Sequence, residues 1–157
     1  MANVRGTYAL LLILEKETAI TVGKLANCSF PPGHYLYVGS ALGGLPSRLR
    51  RHLRGGKRLH WHIDYLRQEA KVVEVWYLVS DERVECRWYQ AAAAMPQAQV
   101  LLTGFGSTGC GCHSHLLYFA STPTFEAFRR QLGEKGLDLR KMSPGGQRSW
   151  PRPEQTA

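Results

Sequence analysis

Long apolar runs, an acidic excess and internal repeats are all missing from this sequence of 157 residues. Charge interrupts the apolar run near the start at Glu15, so no segment is long enough to cross a bilayer as a helix. The first residues lack the small-residue cleavage site of a signal peptide. We therefore expect a cytoplasmic protein with reduced thiols. Its cysteines are Cys28, Cys86, Cys110 and Cys112.

The charged residues are biased towards the basic side. Lys and Arg number 20 against 12 for Asp and Glu, which gives a net charge of +8 and a pI near 9.6. A field of this sign attracts polyanions, chiefly nucleic acid and less often an acidic membrane face. The alternative is a protein that merely has a basic surface.

Apolar patterning predicts short strands and amphipathic helices. Strands are predicted over residues 6–14, 19–23, 34–39, 72–79 and 115–120, with the second returning on the first. Helices are predicted around Leu45 to Leu53 and over residues 61–68, 82–95 and 123–132, with Ser80, Asp81 and Thr122 as caps. A turn is predicted at residues 29–33 and a glycine-rich loop at residues 104–113.

This order predicts an α/β (α+β) fold, with a small central sheet of mixed or antiparallel strands flanked by helices. Residues 1–140 are predicted to form one domain. The residues from 141 to 157 are rich in Ser, Pro, Gly and Arg, so we predict a disordered basic tail there.

The densest basic segment covers residues 48–58, where six of eleven residues are Lys or Arg. Arg48 and His52 are one helical turn apart and can contact one ligand. Arginine forks bind phosphate with two hydrogen bonds, so this segment is predicted to bind nucleic acid. The predicted nucleic-acid contacts are Arg50, Arg51, Arg54, Lys57, Arg58 and Trp61, with the first three on the solvent side of the helix. The alternative is a solvated helix face.

Two other segments contain residue types that bind metals. His60 and Asp64 share a helix face, although a structural or nucleic-acid-contacting helix with a packing or stacking tryptophan is the favoured interpretation. The glycine-rich loop and its flank contain Cys110, Cys112, His113 and His115, whose spacing is tighter than that of usual zinc sites. Buried thiols in a loop are favoured over zinc, and we hypothesise that this loop lies over the active site.

Two tripeptides on predicted strands, Gly6-Thr7-Tyr8 and Tyr37-Val38-Gly39, resemble the motif pair of the GIY-YIG nuclease superfamily. As in that superfamily, two small residues follow the second motif, and a helix with Arg48 and His52 comes next. Glu85 occupies the place of the glutamate on a later helix. The runs YLYVGSALGGLPSRLRRHL, HWHIDYL and GFGSTGCGCHSHLLYF resemble an uncharacterised branch that occurs alone or fused to endonuclease III-type glycosylases.

The resemblance implies a metal-dependent endonuclease that hydrolyses DNA phosphodiester bonds, in DNA repair as the fused relatives indicate. Glu85 would hold one Mg²⁺ or Mn²⁺ ion, and Arg48 would hold the scissile phosphate. Tyr8 and Tyr37 would order the attacking water, and one could act as a base if nearby cations lowered its pKa. His52 is an alternative base.

The chain departs from the superfamily pattern in the separation of its two motifs. Tyr8 and Tyr37 are 29 residues apart, a longer gap than is typical, and residues 18–33 are predicted to form an added β-hairpin. No convincing equivalent of the asparagine that often follows the glutamate helix is found in the sequence. The alternative function is therefore a catalytically inactive nucleic-acid-binding module, and a protein-interaction domain is the least favoured.

Overall fold

The computed structural model describes residues 4–54, 59, 61–107 and 111–144. Seven strands are formed there: β1 (Gly6–Leu14), β2 (Thr18–Val22), β3 (Ala26–Phe30), β4 (Gly33–Ala41), β5 (Lys71–Val79), β6 (Leu116–Phe119) and β7 (Arg140–Met142). The helices are α1 (Leu45–Leu53), α2 (His62–Glu69), α3 (Glu85–Ala93) and α4 (Phe125–Leu132), and a 3-10 helix covers Gly133–Gly136. None of these helices has the length and hydropathy needed to cross a membrane.

The central sheet is antiparallel and has five strands in the order β6-β4-β1-β5-β7. β1 is buried almost throughout, as its apolar sequence requires, and pairs with β4 along its whole length from Gly6–Ala41 to Leu14–Gly33. The strands β2 and β3, which lie between β1 and β4 in the sequence, form a separate two-stranded sheet. The predicted class, the small sheet flanked by helices and the added hairpin are all confirmed.

Each face of the sheet has its own core, because successive side chains of a strand point to opposite faces. On one face, Tyr8 and Leu10 pack with α1, α2 and the hairpin. On the other face, Ala9 and Trp76 pack with α3 and α4, and Trp76 stacks on Phe128 with ring centroids 5.3 Å apart. The sheet is therefore the middle of three layers.

The predicted pairing of the second strand was wrong. β2 pairs with β3 rather than with β1, because β4 and β5 already occupy both edges of β1. The predicted turn at residues 29–33 was too long, since β3 continues to Phe30, whose side chain is fully buried. Only Pro31 and Pro32 separate β3 from β4. Neither can donate a ladder hydrogen bond, which ends the hairpin there.

Two predicted helix starts were also wrong. α3 begins at Glu85 rather than 82, since Ser80 Oγ accepts from the Glu82 amide at 3.1 Å in the preceding turn. α4 begins at Phe125, and its cap is Thr124 rather than Thr122, with Oγ1 accepting from the amide of the third helical residue.

The strand over 115–120 was not the last one. β7 pairs with the outer edge of β5 through Arg140, Lys141 and Met142, and the last two belong to the predicted tail. Both are in β7, and residues 145–157 of the predicted tail lie outside the described residues.

Candidate functional site

Tyr8 and Tyr37 lie side by side on the face of the sheet covered by α1. Tyr8 of β1 is paired with Gly39 of β4, and Leu10 is paired with Tyr37, so the two tyrosines are diagonal neighbours. Their ring centroids are 6.4 Å apart. A Cβ atom on Gly39 would overlap the Tyr8 ring, which explains why the second motif has glycine opposite the first tyrosine. The long sequence gap is spanned by the hairpin.

His52 joins this pair from α1. Its Nε2 atom lies 2.6 Å from the Tyr8 hydroxyl oxygen, and its ring centroid lies 6.2 Å from that of Tyr37. The side chain is only 1% exposed because it lies on the apolar stripe of α1, together with Leu45 and Leu49. His52 is therefore a partner of Tyr8 and not another basic surface group.

Arg48 lies one turn before His52 and is half-buried at the end of β4. Its Nη1 atom donates to the Ser40 carbonyl oxygen at 3.0 Å, and its guanidinium lies over the Trp61 ring at 4.4 Å from the centroid. The positive charge of Arg48 also acts on the Tyr8 side chain. The structure thus brings Arg48 and His52 onto the same Trp61 ring, with His52 in contact with Tyr8 and with Tyr37 beside them.

Burial dominates the protonation of the two tyrosines. It raises the pKa of Tyr8 and that of Tyr37 well above the ordinary value for tyrosine, while the positive charge of Arg48 only partly opposes this shift. The negative charge of Glu85 raises both pKa values further. The condition for a tyrosine base, a pKa lowered by nearby cations, is therefore not met, because desolvation outweighs the charge of Arg48.

Glu85 comes from α3, which packs on the opposite face of the sheet. It is the first residue of this helix, whose Trp88 and Tyr89 side chains are buried there. Its Oε2 atom lies 3.8 Å from Nδ1 of His115, and its side chain is 22% exposed. Glu85 is thus close enough to act on both tyrosines through its charge, while its direct ion-pair contact is with His115.

Arg51 was predicted to lie on the solvent side of α1. It is instead paired with Asp64 of α2. Its Nη1 and Nη2 atoms donate to the two carboxylate oxygens of Asp64 at 2.8 and 3.0 Å. Asp64 is fully buried and also accepts from the Trp61 amide at 2.8 Å. A buried carboxylate needs such partners, so Arg51 is held towards α2. His60, its proposed metal-binding neighbour, lies outside the described residues.

The other predicted nucleic-acid contacts differ in their surroundings. Arg50 and Arg54 are exposed on α1 and at its end, whereas Lys57 and Arg58 lie outside the described residues. The half-buried Trp61 caps α2, and two guanidiniums lie over its ring, that of Arg51 at 4.1 Å from the centroid. Its ring is therefore a packing surface that orients Arg48 and Arg51.

Arg67 supports the site in a way that sequence reasoning missed. From α2, its Nε and Nη2 atoms donate to the carbonyl oxygens of His52 and Leu53 at 3.1 and 3.2 Å. These carbonyls end α1 and have no partner within the helix. The only sequence signal is the position of Arg67 one turn after Asp64 on a predicted helix.

The described part of the glycine-rich loop packs against Tyr37, while the hypothesis that this loop lies over an active site stays a prediction. The Phe105 ring centroid lies 6.0 Å from that of Tyr37, and the Gly106 amide donates to Nδ1 of His62 at 2.8 Å. Gly106 has a φ of 69°, and an added Cβ would come within 2.9 Å of the Tyr37 ring. Both the left-handed backbone and the close approach therefore require glycine here.

Two members of the predicted cysteine and histidine set come together, with a partner that the sequence did not indicate. The ligand atoms of Cys112, His115 and Cys86 all lie within 4.8 Å of one another. His113 is exposed, and Cys110 lies outside the described residues. Burial lowers the pKa of His115, and the charge of Glu85 opposes this shift. The one clue to Cys86 was its place beside Glu85.

Comparison with known protein families gives one match. The family described as Domain of unknown function DUF123 matches residues 7–136, which is most of the chain. The chain belongs to this family. The match covers every strand from β1 to β6 and all four helices, and hence all of the candidate site residues. No curated protein and no solved structure is significantly similar to the chain.

The DUF123 domain therefore places two kinds of chemistry next to each other. On the α1 face, a phenol and an imidazole are in contact and a guanidinium lies close by, a set that can bind an anion and move a proton. On the α3 face, two thiols and an imidazole form a group suited to a soft metal ion. Glu85 lies between them, acting on the tyrosines by charge and on His115 by contact.

Proposed function

We propose that this DUF123 domain is a metal-dependent endonuclease of the GIY-YIG type, which hydrolyses DNA phosphodiester bonds in cytoplasmic DNA repair. One observation carries the proposal: the 2.6 Å contact of Tyr8 with His52, beside Tyr37 and Arg48. Tyr8 and Tyr37 were identified from motif order over a long gap, Arg48 and His52 also from their helical spacing, and the four form one cluster. Repair is inferred from the resemblance to the branch fused to glycosylases.

Arg48 is the group that would bind the scissile phosphate. The Ser40 carbonyl and the Trp61 ring hold its guanidinium in one orientation. A guanidinium fixed in this way needs little reorganisation when negative charge builds up on the phosphate, and such preorganisation is where electrostatic catalysis gains most. The half-buried position also strengthens the interaction relative to bulk water.

The proton of the attacking water would end on His52. Tyr8 keeps its proton because burial raises its pKa, so its hydroxyl donates to Nε2 in the tautomer that carries the ring proton on Nδ1. As the water attacks phosphorus, Tyr8 can accept the water proton while passing its own to His52. The net product is a protonated imidazole, and no free tyrosinate is needed.

Glu85 is the residue that would hold Mg²⁺ or Mn²⁺. A single carboxylate, 22% exposed, suits an ion that keeps most of its own waters. Such an ion supplies positive charge that stabilises the leaving oxygen. Asp64, the other carboxylate that acts on the tyrosines, is bound by Arg51 and is not a candidate.

Cleavage of circular, branched and single-stranded DNA with Mg²⁺ or Mn²⁺ tests the proposal. Arg48→Ala and His52→Ala are each expected to lower the cleavage rate by about 100-fold, typical of lost charge stabilisation or proton transfer. Glu85→Gln is expected to abolish metal-dependent cleavage. Glu82→Gln, exposed in the preceding turn, is the matched control and should cleave like wild type. Equal background cleavage by wild type and all variants would refute the proposed endonuclease activity.

DNA binding is tested separately through its salt dependence. Each phosphate contact contributes about 0.9 to the slope of log K against log salt concentration, so Arg50→Ala/Arg54→Ala should lower the slope by up to about 2. Arg129→Ala/Arg130→Ala, on α4 across the sheet, removes the same charge and should leave the slope nearly unchanged. An unchanged slope in the first variant would show that α1 does not contact DNA.

One observation favours the alternative of a catalytically inactive nucleic-acid-binding module. Tyr8 and His52 are each only 1% exposed, so water and phosphate reach them only if their covering side chains move. A binding module needs Arg50 and Arg54 but not that movement. Tight, salt-dependent DNA binding without cleavage on any substrate would establish this function instead.

A further inference from the structure

We propose that Cys86, Cys112 and His115 bind a thiolate-preferring divalent metal ion, with zinc the best fit, at a site distinct from the Glu85 carboxylate. Their ligand atoms lie within 4.8 Å of one another, although Cys86 of α3 is far in sequence from Cys112 and His115. Among the described residues, this is the one group of three or more His, Cys, Asp or Glu side chains whose ligand atoms could surround one ion. It does not depend on the proposed nuclease activity.

The backbone of each segment is fixed independently of a metal. Cys86 is in the first turn of α3, and Cys112 is near the end of the glycine-rich loop. The His115 amide donates to the Phe105 carbonyl at 2.7 Å, and its carbonyl accepts from the Val38 amide at 2.9 Å. The three side chains therefore converge because β6 is docked on β4 beside the start of α3.

The orientation of His115 is that of a metal ligand with a supporting carboxylate. Its Nε2 atom faces the Cys86 sulfur at 3.9 Å, while Nδ1 faces Glu85 Oε2 at 3.8 Å. Metal-bound histidines characteristically direct their second ring nitrogen towards a carboxylate or carbonyl, which fixes the tautomer and strengthens the ligand. The Tyr89 ring, 5.9 Å away, packs beside the imidazole.

The donor set selects the metal. Two sulfur ligands and one imidazole are preferred by zinc and disfavoured by Mg²⁺, which takes oxygen ligands. A tetrahedral ion held by three protein ligands keeps one further position for water or another donor. When bound, the ion would tie α3 to the end of the glycine-rich loop, and so fix Glu85 relative to Tyr37.

Metal content of the full chain, purified without chelator from zinc-supplemented medium, is the primary test. Wild type is expected to retain one zinc ion per chain by plasma emission. Cys86→Ser and Cys112→Ser should each lose it, whereas Cys28→Ser should not. Cys28 is a matched control because it is a free, half-buried thiol in β3.

Cobalt substitution tests the ligands without relying on the variants. Wild type loaded with Co²⁺ should show sulfur-to-cobalt charge transfer and the intense visible bands of a tetrahedral ion. Glu85→Gln should keep this spectrum and bind zinc roughly 10–100-fold more weakly, as is typical when a supporting carboxylate is lost. Loss of the spectrum in Glu85→Gln would make Glu85 a direct ligand and overturn the proposed set.

Three results would overturn the site. Wild type could contain no stoichiometric zinc and give no charge-transfer band with cobalt. Folded Cys86→Ser and Cys112→Ser, judged by circular dichroism, could bind zinc like wild type. Thiol titration and mass spectrometry could show a disulfide between these two cysteines in protein kept under reducing conditions. If either variant is unfolded, the cobalt spectrum of wild type decides.

Discussion

The Asp64→Ala variant is expected to be about 3 kcal/mol less stable than wild type, at the lower end of the 3–5 kcal/mol cost of breaking a buried ion pair. The Asp64 side chain is fully buried and accepts two hydrogen bonds from Arg51 and one from the Trp61 amide. All three are lost in the variant. The lower end applies because Arg51 is 23% exposed, so its stranded charge can reach water.

Urea denaturation followed by far-ultraviolet circular dichroism measures this loss as a lower midpoint at an unchanged m-value. Arg51→Ala should cost at least as much, because it leaves the fully buried carboxylate without its cation. Asp81→Ala, an exposed aspartate before α3, is the control and should change stability by less than about 0.5 kcal/mol. The reasoning is refuted if Asp64→Ala matches this control.

The same variant tests how the site is oriented. Asp64 holds both Arg51 and the start of α2, and the Trp61 ring on which Arg48 lies is at that start. Loss of the carboxylate should therefore free the tryptophan ring, which near-ultraviolet circular dichroism would report. A weakened near-ultraviolet signal with an intact far-ultraviolet spectrum is the expected result.

The remaining predictions concern the tyrosine cluster. Above about pH 10 the unfolded chain loses the Tyr37 proton while the native state keeps it, so stability should fall by up to about 1.4 kcal/mol per pH unit from this group. In the Tyr37→Phe variant, the urea midpoint should therefore fall less steeply with pH between pH 9 and 11 than in wild type. An equal slope in the two proteins would contradict the raised pKa of Tyr37. Gly39→Ala should displace the Tyr8 ring and cost about 1–3 kcal/mol as an overpacked core, with changed NMR signals of His52; unshifted signals would contradict the overlap. Arg67→Met, which keeps the aliphatic stem, should cost about 1–3 kcal/mol by leaving two carbonyls at the end of α1 unpaired, and Arg67→Lys should recover only part; wild-type stability of the methionine variant would contradict the cap.

Much of the fold could be predicted from local signals. The bounds of β1 were correct because an apolar run broken by charge at Glu15 has few alternatives. α1 was correct because three leucines at a spacing of four define its stripe and Pro46 fits its first turn. The bounds of β3 were not predicted and β7 was missed, because their sequences carry little alternation and they form only through pairing with β2 and β5.

The site could be predicted only where a motif preserves order along the chain. Tyr8, Tyr37, Arg48 and His52 were identified and do come together, because the β1–β4 register and one helical turn position them. The partner of Arg51 and the raised pKa values of the tyrosines depend on burial, which the sequence does not specify. Cys86 could not be linked to the loop because the contact is created by the docking of β6 on β4.

The β2–β3 hairpin has a consequence for the order of folding. A hairpin forms within microseconds, from contacts that are close in sequence. Once β2 and β3 pair, the flanking Leu14 and Gly33 are drawn together, and these two residues form the first rung of the β1–β4 ladder. A long loop closure is thereby turned into a nearly local one. We therefore expect the two motif strands to pair early and α1 to dock afterwards on tyrosines that are already side by side.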